Sequence, residues 1–348
     1  MIYKEKILDQ IVKNFFRTCI IRDNDVLIVA LSGGMDSMVL MDAFYKLQSE
    51  LDYELLALHV HHGIRGLEAD RDLKFVKDYC KSMNVKLITS KVNAKEYAKK
   101  NNMTLEEAAR KLRYDVFDKT WKTISSKNTK GNVYILIAHH EKDQVETIIH
   151  NLVRGTGIKG IAGIKKIRAY FIRPLLDIKK SEIEKYVDDY DVPYVNDSTN
   201  NDMNYTRNFI RKEIIDKLEK INNKASEHIV EFARQARELN DFIEVESKKK
   251  FDDSIINLKR NSVALDIKKF NNYDNIIKTG IIRIVFSELI STLKDITKIN
   301  INDIIALAEK EKGGHLDLPY NITVDKKRNN LIFTKNSKNL SMSRRKKK

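Results

Sequence analysis

Residues 26–37 read Val-Leu-Ile-Val-Ala-Leu-Ser-Gly-Gly-Met-Asp-Ser, a continuous apolar run that ends in a cluster of small residues. An apolar run of this length, bounded by a turn signal, predicts a buried strand of a parallel sheet. Residues 38–45 then carry apolar side chains at helical spacing. The sequence therefore predicts a strand, a tight turn and a helix within twenty residues, and hence an α/β fold built on a parallel sheet.

The turn itself has the composition of an anion-binding loop. Gly33 and Gly34 let the backbone approach a ligand closely, and Ser32 and Ser37 flank them. Backbone N–H groups and the positive end of the following helix dipole would favour a phosphate here. The loop lacks the Gly-Lys-Ser/Thr of the common phosphate loop. An ordinary glycine-containing turn is the alternative, but the position between strand and helix favours nucleotide binding.

Length and composition indicate a globular protein of about two domains. The chain has 348 residues, of which 42% are hydrophobic and 32% charged. The longest apolar runs have about eight residues, whereas a membrane span needs about 20. The first residues lead into a mixed-charge amphipathic segment and not into a signal peptide. Cys19 and Cys80 are the only cysteines, which excludes a disulfide framework and a zinc knuckle, so a cytoplasmic protein is expected.

The charge balance favours a polyanionic partner. The chain has 64 Lys and Arg against 49 Asp and Glu, a net charge of +15. Nucleic acid is the commonest partner of such a protein. The alternative is a Lys-rich genome that places lysines on solvated faces, and charge alone does not distinguish the two.

Four further apolar segments continue the alternation of strands and helices. They predict strands over 55–62, 85–92, 133–138 and 170–172. Helices are predicted over 4–19, 68–83, 105–124 and up to residue 152, and a loop over the glycine-rich residues 154–163. Thr104 followed by Glu107 forms a capping-box pattern at the start of one helix. The prediction is a doubly wound, mostly parallel sheet of Rossmann-like type, with ligands bound at the carboxyl ends of the strands.

The second half of the chain has a different character. A polar loop over 196–204 precedes a long helical stretch from 207 to 250 with a break near Asn222-Asn223. Helices around 276–290 and 301–310 and strands at 315–318, 322–324 and 331–333 predict a smaller α+β domain. The predicted boundaries are a catalytic domain over 1–206, a helical connector over 207–250, a C-terminal domain over 251–335 and a basic, disordered tail over 336–348.

A His–Asp pair follows the fourth predicted strand. His139 and Asp143 are four residues apart at a predicted helix start, so they are expected to share one face. At the ligand edge of the sheet they could orient a nucleophile, hold magnesium or stabilise phosphate charge. A surface pair of little energetic value is the alternative. The nearby phosphate loop favours the functional interpretation.

Two arginines on one helix could also serve the site. Arg110 and Arg113 are three residues apart, and the planar guanidinium suits a phosphate or a developing oxyanion. Taken alone, the two arginines are better explained by a solvated helix face paired with Glu106 or Glu107.

Seven motifs in register resemble the tRNA(Ile)-lysidine synthetase family of PP-loop ATP pyrophosphatases. The resemblance is dense over residues 20–215 and loose beyond them. Seven motifs in one order are far more specific than any single motif. They are Ser32-Gly33-Gly34-Met35-Asp36-Ser37, His59-Val60-His61-His62-Gly63-Ile64-Arg65-Gly66, Glu107-Ala108-Ala109-Arg110 with Arg113-Tyr114, Ala138-His139-His140 with Asp143-Gln144 and Glu146-Thr147, Arg154-Gly155-Thr156-Gly157, Arg173-Pro174-Leu175-Leu176, and Asp197-Ser198 with Tyr205-Thr206-Arg207-Asn208 and Ile210-Arg211.

The resemblance implies a two-step reaction at the wobble cytidine of the isoleucine tRNA with a CAU anticodon. ATP first adenylates the 2-carbonyl oxygen of cytosine and releases pyrophosphate, and the amino group of free L-lysine then displaces AMP. The cofactors implied are ATP and Mg²⁺, the partners are that tRNA and lysine, and a homodimer is the expected assembly.

The resemblance also implies roles for individual residues. Asp36 is the expected magnesium ligand or the base for the lysine amine. The expected catalytic residues are Asp36, Arg113, His139 and Asp143. The expected nucleotide-binding residues are Ala30, Ser32, Gly33, Gly34, Met35, Asp36, Ser37 and His61, and the expected substrate-binding residues are Arg110, Arg207 and Arg211.

Some residues depart from the family pattern. Lys142 stands where a second Asp is frequent, His61 where Asn or Asp is usual, and Asp216 where Pro is expected. Residues 313–319 resemble the end of the first C-terminal domain, so a short form of the family is expected.

Three other functions compete with this prediction. A tRNA-thiolating enzyme on the same fold would use cysteines near the loop or a Cys-x-x-Cys pair, which this sequence lacks. An amide-forming ligase of small molecules would not need a charge of +15. A non-enzymatic RNA-binding protein would be expected to have lost Asp36, Arg113 or Asp143, and all three are present.

Overall fold

A computed structural model describes Ile11 and residues 21–196, 206–290 and 295–336. The predicted helix over 4–19 (apart from Ile11), most of the polar loop over 196–204 and all but the first residue of the basic tail lie outside the described residues. The chain divides into two compact units, Met1–Gln235 and Ala236–Lys348.

The first unit alternates strands and helices, as predicted. Its elements up to residue 190 are β1 (Asp25–Ala30), α1 (Met35–Leu47), β2 (Tyr53–His61), α2 (Leu67–Ser82), β3 (Lys86–Lys91), α3 (Ala94–Asn101), α4 (Leu105–Ser125), β4 (Val133–Leu136), α5 (Glu141–Val153), α6 (Ile158–Ile161), β5 (Ile167–Arg168), β6 (Phe171–Ile172) and α7 (Lys180–Tyr190).

These strands form one sheet of order β3-β2-β1-β4-β6-β5, in which only the edge strand β5 is antiparallel. Alternate residues of β1 enter two hydrophobic clusters: Leu27 and Val29 belong to one, and Val26 and Ile28 to the other. Since both faces of β1 are covered, its sequence is a continuous apolar run rather than an alternating one. The doubly wound α/β fold is confirmed.

Four of the described elements of the first unit were not predicted. They are helices α3 and α7, the helical turn α6 within the glycine-rich segment, and the edge strand β5. The predicted short strand at 170–172 is confirmed as β6, which pairs with β5 in a two-residue ladder. Elements as short as α6 and β5 carry too few residues for a periodic pattern.

A helical segment follows residue 205 and changes its hydrogen-bonding pattern twice. It consists of α8 (Thr206–Phe209), a π-helical stretch (Ile210–Ile215) and α9 (Asp216–Ile221). Helix α10 (Ala225–Ser254) begins after the predicted break at Asn222-Asn223. The π stretch contains Arg211, and such stretches are frequent at functional sites.

The second unit contains an antiparallel sheet of order β7-β8-β11-β10-β9 with helices packed on its core. The hairpin β7–β8 and helix α11 were not predicted. The elements are β7 (Ile255–Lys259), β8 (Ser262–Asp266), α11 (Ile267–Asn271), α12 (Asn275–Leu289), α13 (Lys298–Glu309), β9 (Gly314–Leu318), a 3₁₀ turn (Pro319–Asn321), β10 (Ile322–Lys327) and β11 (Asn330–Lys335). None of the helices in the described part of the chain has the length and apolar character to cross a membrane.

Candidate active site

The order of the strands places two loops side by side. From β1 the chain moves outward through β2 and β3 and then returns to the other side of β1 with β4. Ligands of open α/β sheets bind at such a reversal, outside the carboxyl ends of the strands. The loop after β1 carries Ser32 to Ser37, and the turn after β4 carries His139 and His140.

The loop after β1 is held by its own serines. The Ser37 hydroxyl donates to the Gly34 carbonyl (2.8 Å) and accepts from the Ser32 amide (3.2 Å). The Ser32 hydroxyl lies 3.0 Å from that of Ser37 and accepts from the Gly34 amide. Both hydroxyls therefore shape the loop, and Met35, which begins α1, packs against the core.

The backbone conformation at residue 33 requires a glycine. Its φ is +96°, and a Cβ atom there would lie 3.1 Å from Val195 Cγ2. The N-cap of α1 is Gly34, which has no side chain to cap the helix. The first amides of α1 have no intrahelical acceptor and point out of the helix N-terminus, where an anion would bind.

Asp36, in the first turn of α1, connects the loop to two other elements. Its Oδ1 accepts from the Lys180 ammonium at the start of α7. Its Oδ2 lies 3.7 Å from His140 Nε2, and Asp143 Oδ2 lies at the same distance from that nitrogen. Two carboxylates thus face one buried imidazole at the point where the sheet order reverses.

The histidine that contacts these carboxylates is His140, not His139. Helix α5 begins at Glu141, so His140 is its N-cap and His139 precedes the helix. His140 Nδ1 accepts from the Lys142 amide (3.2 Å), so the neutral ring carries its proton on Nε2, toward the carboxylates. His139 therefore does not share a face of α5 with Asp143, contrary to the expectation, although the two side chains lie close enough for each to shift the pKa of the other.

Asp143 completes the cap and is held as an anion. Its Oδ2 accepts from the His140 amide at 2.9 Å. Burial raises the pKa of the Asp143 carboxyl, but His140, His139 and this hydrogen bond outweigh burial, and the net shift is downward. Asp143 is therefore a carboxylate at neutral pH.

His139 instead accepts a hydrogen bond from a buried arginine. Arg173 Nε donates to His139 Nδ1 (2.9 Å), and Arg173 Nη1 donates to the Lys165 carbonyl (2.8 Å). Desolvation, with the nearby Arg173 charge, lowers the pKa of His139 to about 3, although Asp143 opposes the shift. His139 is thus a neutral ring at physiological pH and is unsuited to act as a general acid.

A buried ion pair joins α5 to the π-helical stretch. Arg211 Nε donates to Glu146 Oε1 at 2.6 Å, and the Glu146 side chain is 2% exposed. Burial raises the pKa of Glu146 despite this partner. Desolvation lowers the pKa of Arg211, but Glu146, Asp143 and Asp36 outweigh it, so the net shift is upward. Arg207 Nε lies 3.4 Å from Glu106 Oε1, and the Arg207 side chain is slightly more exposed than that of Arg211.

Arg110 and Arg113 lie on α4, one turn apart, and differ in exposure. Arg110 is exposed, with its guanidinium 5.2 Å from the Tyr114 ring centroid. Arg113 Nε is buried and donates to no acceptor in the described part of the chain. Burial, together with Arg110, lowers the pKa of Arg113. Burial also lowers the pKa of His62, to about 4, with Arg113 as the next cause.

The carboxyl end of β2 is rich in buried imidazoles. His59 Nδ1 lies 2.8 Å from the Leu31 carbonyl, next to the phosphate loop. His61 ends the strand, with Nε2 3.2 Å from Asp70 Oδ1 and Nδ1 accepting from the Gly63 amide. Ala30 ends the neighbouring strand β1. His61 is thereby held by its own loop and by α2, and its expected nucleotide contact stays a prediction.

The site contains three residues that the sequence did not single out. His140 stands beside the predicted His139, Arg173 belongs to a quoted motif without an assigned role, and Lys180 begins an unpredicted helix. Lys180 gave no signal in the sequence, because α7 was not predicted and the contact with Asp36 joins segments that are far apart in the chain.

Comparisons with known proteins agree with this architecture. A family model described as a PP-loop domain matches residues 4–218. The tRNA(Ile)-lysidine synthase of Clostridioides difficile is 32% identical over 332 residues, which are 94% of this chain and 70% of that protein. The tRNA(Ile)-lysidine synthase of Clostridium acetobutylicum is 33% identical over 320 residues, 90% of this chain and 67% of that protein.

Among solved structures, the U34-tRNA thiolase NcsA from Methanococcus maripaludis with its 4Fe-4S cluster is similar, with a TM-score of 0.54 and 18% identity. The match covers 67% of this chain and 79% of that chain. At this identity the likeness shows the fold alone.

Proposed function

This chain belongs to the tRNA(Ile)-lysidine synthase family and carries its PP-loop domain, and from this we propose that it is an ATP-using ligase that converts the wobble cytidine of tRNA(Ile) with a CAU anticodon to lysidine. One observation carries the proposal. The phosphate loop and the Asp36–His140–Asp143 group meet at the reversal of the strand order. Matches over nine-tenths of the chain in these two relatives support extending the activity to it.

The first step needs a site for the triphosphate and for the charge that develops on pyrophosphate. Amides at the start of α1 point to where the phosphates would lie, and the helix dipole favours them. Arg113 carries a buried N–H that is free to bind a phosphate or the base carbonyl. The cytosine 2-carbonyl oxygen would attack the α-phosphorus, and pyrophosphate would leave toward the loop.

The second step needs an uncharged amine at carbon 2 of the adenylated cytosine. Asp143 and Asp36 are the candidate acceptors for the proton of the lysine ammonium, because both carboxylates face the site. The His140 Nε2–H lies between them and would stabilise whichever remains charged. AMP would then leave from carbon 2.

Magnesium fits the site as a partner of ATP rather than of the protein alone. Within the described residues, no set of three or more His, Cys, Asp or Glu side chains is arranged to hold a metal ion. Mg²⁺ in ATP sites commonly takes one or two carboxylates and completes its shell with phosphates and water. Asp36 is the residue that would hold it, and the ion would offset phosphate charge.

Cys80 is a poor candidate for the nucleophile of a thiolation reaction. The Cys80 thiol is 1% exposed, and burial raises its pKa to about 11. A buried thiol of this kind is a poor nucleophile at neutral pH. Cys19 lies outside the described residues.

The second unit and the assembly belong to the same proposal. We propose that residues 251–335 contact the tRNA, that residues 207–250 connect them to the catalytic domain of residues 1–206, and that the protein works in the cytoplasm as a homodimer. The net charge of +15 supports the tRNA contact.

The test is a lysine-incorporation assay with purified protein, ATP, radiolabelled free lysine and one of two tRNAs. Lysine incorporated into tRNA(Ile) with a CAU anticodon, but not into methionine tRNA with the same anticodon, is the expected result. Asp36→Asn is expected to abolish incorporation without unfolding the protein. Release of pyrophosphate without lysine uptake would contradict the assigned nucleophile, and no ATP cleavage with any tRNA would contradict the proposal.

A further inference from the structure

We propose that Lys180 is a phosphate-binding residue of the ATP site, which exchanges Asp36 for the β- and γ-phosphates and then stabilises the departing pyrophosphate. This inference rests on the proposed function and adds a residue to it. It starts from the position of the Lys180 ammonium, which contacts Asp36 Oδ1 in the first turn of α1.

A lysine at the start of a helix is unfavourable unless its ammonium has an anionic partner outside that helix, and Lys180 has this position. Lys180 is the first residue of α7, where the positive end of the helix dipole repels a cation. Its neighbour Lys179 meets a surface carboxylate, Glu227 Oε1, at 2.5 Å. Lys180 turns instead toward the phosphate loop, where an anion is expected, and its side chain is three-quarters buried.

The ion pair between Lys180 and Asp36 has to loosen when Asp36 acts on magnesium or on the lysine amine. Asp36 is the expected magnesium ligand or amine base, and the Lys180 ammonium on its Oδ1 competes with either role because it offsets the charge of the carboxylate. An ammonium on a flexible four-carbon stem can rotate to another acceptor at little cost. The acceptors next to Asp36 in the nucleotide complex are the phosphate oxygens held by the loop. Lys180 therefore has an anionic partner in both states: Asp36 before the nucleotide binds, and the phosphates afterwards.

The chemistry of the first step explains why a mobile cation is useful. The bond from the cytosine oxygen to the α-phosphorus forms, and the bond from the α-phosphorus to the bridging oxygen of the β-phosphate breaks. The electron pair of the broken bond leaves with pyrophosphate, so negative charge rises there. Lys180 keeps its three protons and donates hydrogen bonds to that charge, which lowers the barrier.

The experiment compares the binding of ATP, pyrophosphate and AMP to wild type, Lys180→Gln, Lys180→Arg and Lys179→Gln, by titration calorimetry without tRNA. Lys180→Gln is expected to weaken ATP and pyrophosphate about tenfold or more, since a charged hydrogen bond is lost, and to leave AMP unchanged. Lys180→Arg should recover part of the affinity. Lys179→Gln, which removes only a surface ion pair, should bind all three like the wild type.

Three outcomes are distinguishable. Unchanged ATP affinity in Lys180→Gln overturns the inference. Equal losses for ATP and AMP also overturn it, because they show that Lys180 only supports the fold of the loop. If the wild-type protein binds neither ATP nor AMP, the proposed function itself fails.

Discussion

His140 combines a structural and an electrostatic task in one side chain. Its Nδ1 caps α5 through the Lys142 amide, and its Nε2 faces the Asp36 and Asp143 carboxylates. Because each nitrogen has its own partner, substitutions can separate the two tasks.

His140→Asn is expected to keep the N-cap of α5 and to lose the imidazole Nε2 that faces the Asp36 and Asp143 carboxylates. Asparagine is among the preferred N-cap residues, so the free energy of unfolding should change by less than about 1 kcal/mol. Lysidine formation should fall about a hundredfold, the lower range for a lost acid–base or electrostatic group. His140→Ala, measured by urea denaturation, should cost about 1 kcal/mol more than His140→Asn. Full turnover in His140→Asn would show that the reaction does not need the imidazole Nε2 beside the two carboxylates.

Buried neutral histidines predict a loss of stability at mildly acidic pH. The pKa values of His62 and His139 are lowered to about 4 and about 3. Between pH 6.5 and 4 the unfolded chain takes up protons at these rings and the folded protein does not, so the free energy of unfolding falls as pH falls.

Urea midpoints at pH 7 and pH 5 measure this dependence. His62→Gln should reduce the difference between the two midpoints, because one proton uptake is removed. An unaltered difference in that variant would contradict the burial argument for His62.

Among the elements, the phosphate loop sets the strictest local requirement. Gly33→Ala should cost about 1–2 kcal/mol, because φ is +96° and Val195 lies in the way of a Cβ atom. Gly34→Ala is the matched control, since its φ is −73° and its Cβ atom would meet Ser32 Oγ at 3.5 Å. Thermal unfolding of both variants measures the difference. Equal melting temperatures would contradict the strain argument.

The sequence predicted the elements that have a periodic pattern or a cap. Strand β1, buried on both faces, and the capping box of Thr104 with Glu107 at α4 are observed. Helix α7 was missed because its buried residues, Ile183, Tyr186 and Val187, are few and stand among charged residues. The mostly exposed strand β7, with the sequence Ile-Ile-Asn-Leu-Lys, is too short and too irregular to show an alternation, so the hairpin with β8 was missed as well.

The location of the site at the edge of the sheet could be predicted from the sequence, but the contacts between its side chains could not. The loop of residues 32–37 and Asp143 lie at the edge where they were expected. A spacing rule that counts four residues within a helix paired His139 with Asp143, but it does not hold for a residue that precedes the helix. Contacts such as Lys180 with Asp36 join distant segments, and the local sequence pattern does not contain them.

At the scale of the whole molecule, the excess of basic residues predicts how tRNA affinity depends on salt. Each phosphate neutralised by Lys or Arg releases counterions, so the logarithm of the affinity should fall linearly with the logarithm of salt concentration. For about six phosphate contacts, the loss between 50 and 200 mM salt is about a thousandfold. Filter binding or fluorescence titration with tRNA(Ile) measures the slope. A flat response would contradict an extensive contact with the tRNA backbone.

The position of β1 in the sheet has a consequence for synthesis on the ribosome. Val26 pairs with Glu54 on one side and with Val133 on the other, so one edge of β1 has no partner until β4 has been translated. During that interval the nascent chain exposes an apolar strand edge, which favours misassociation between neighbouring chains. A truncation before residue 133 should therefore aggregate. Chaperone demand during translation should be greatest between the emergence of β1 and that of β4.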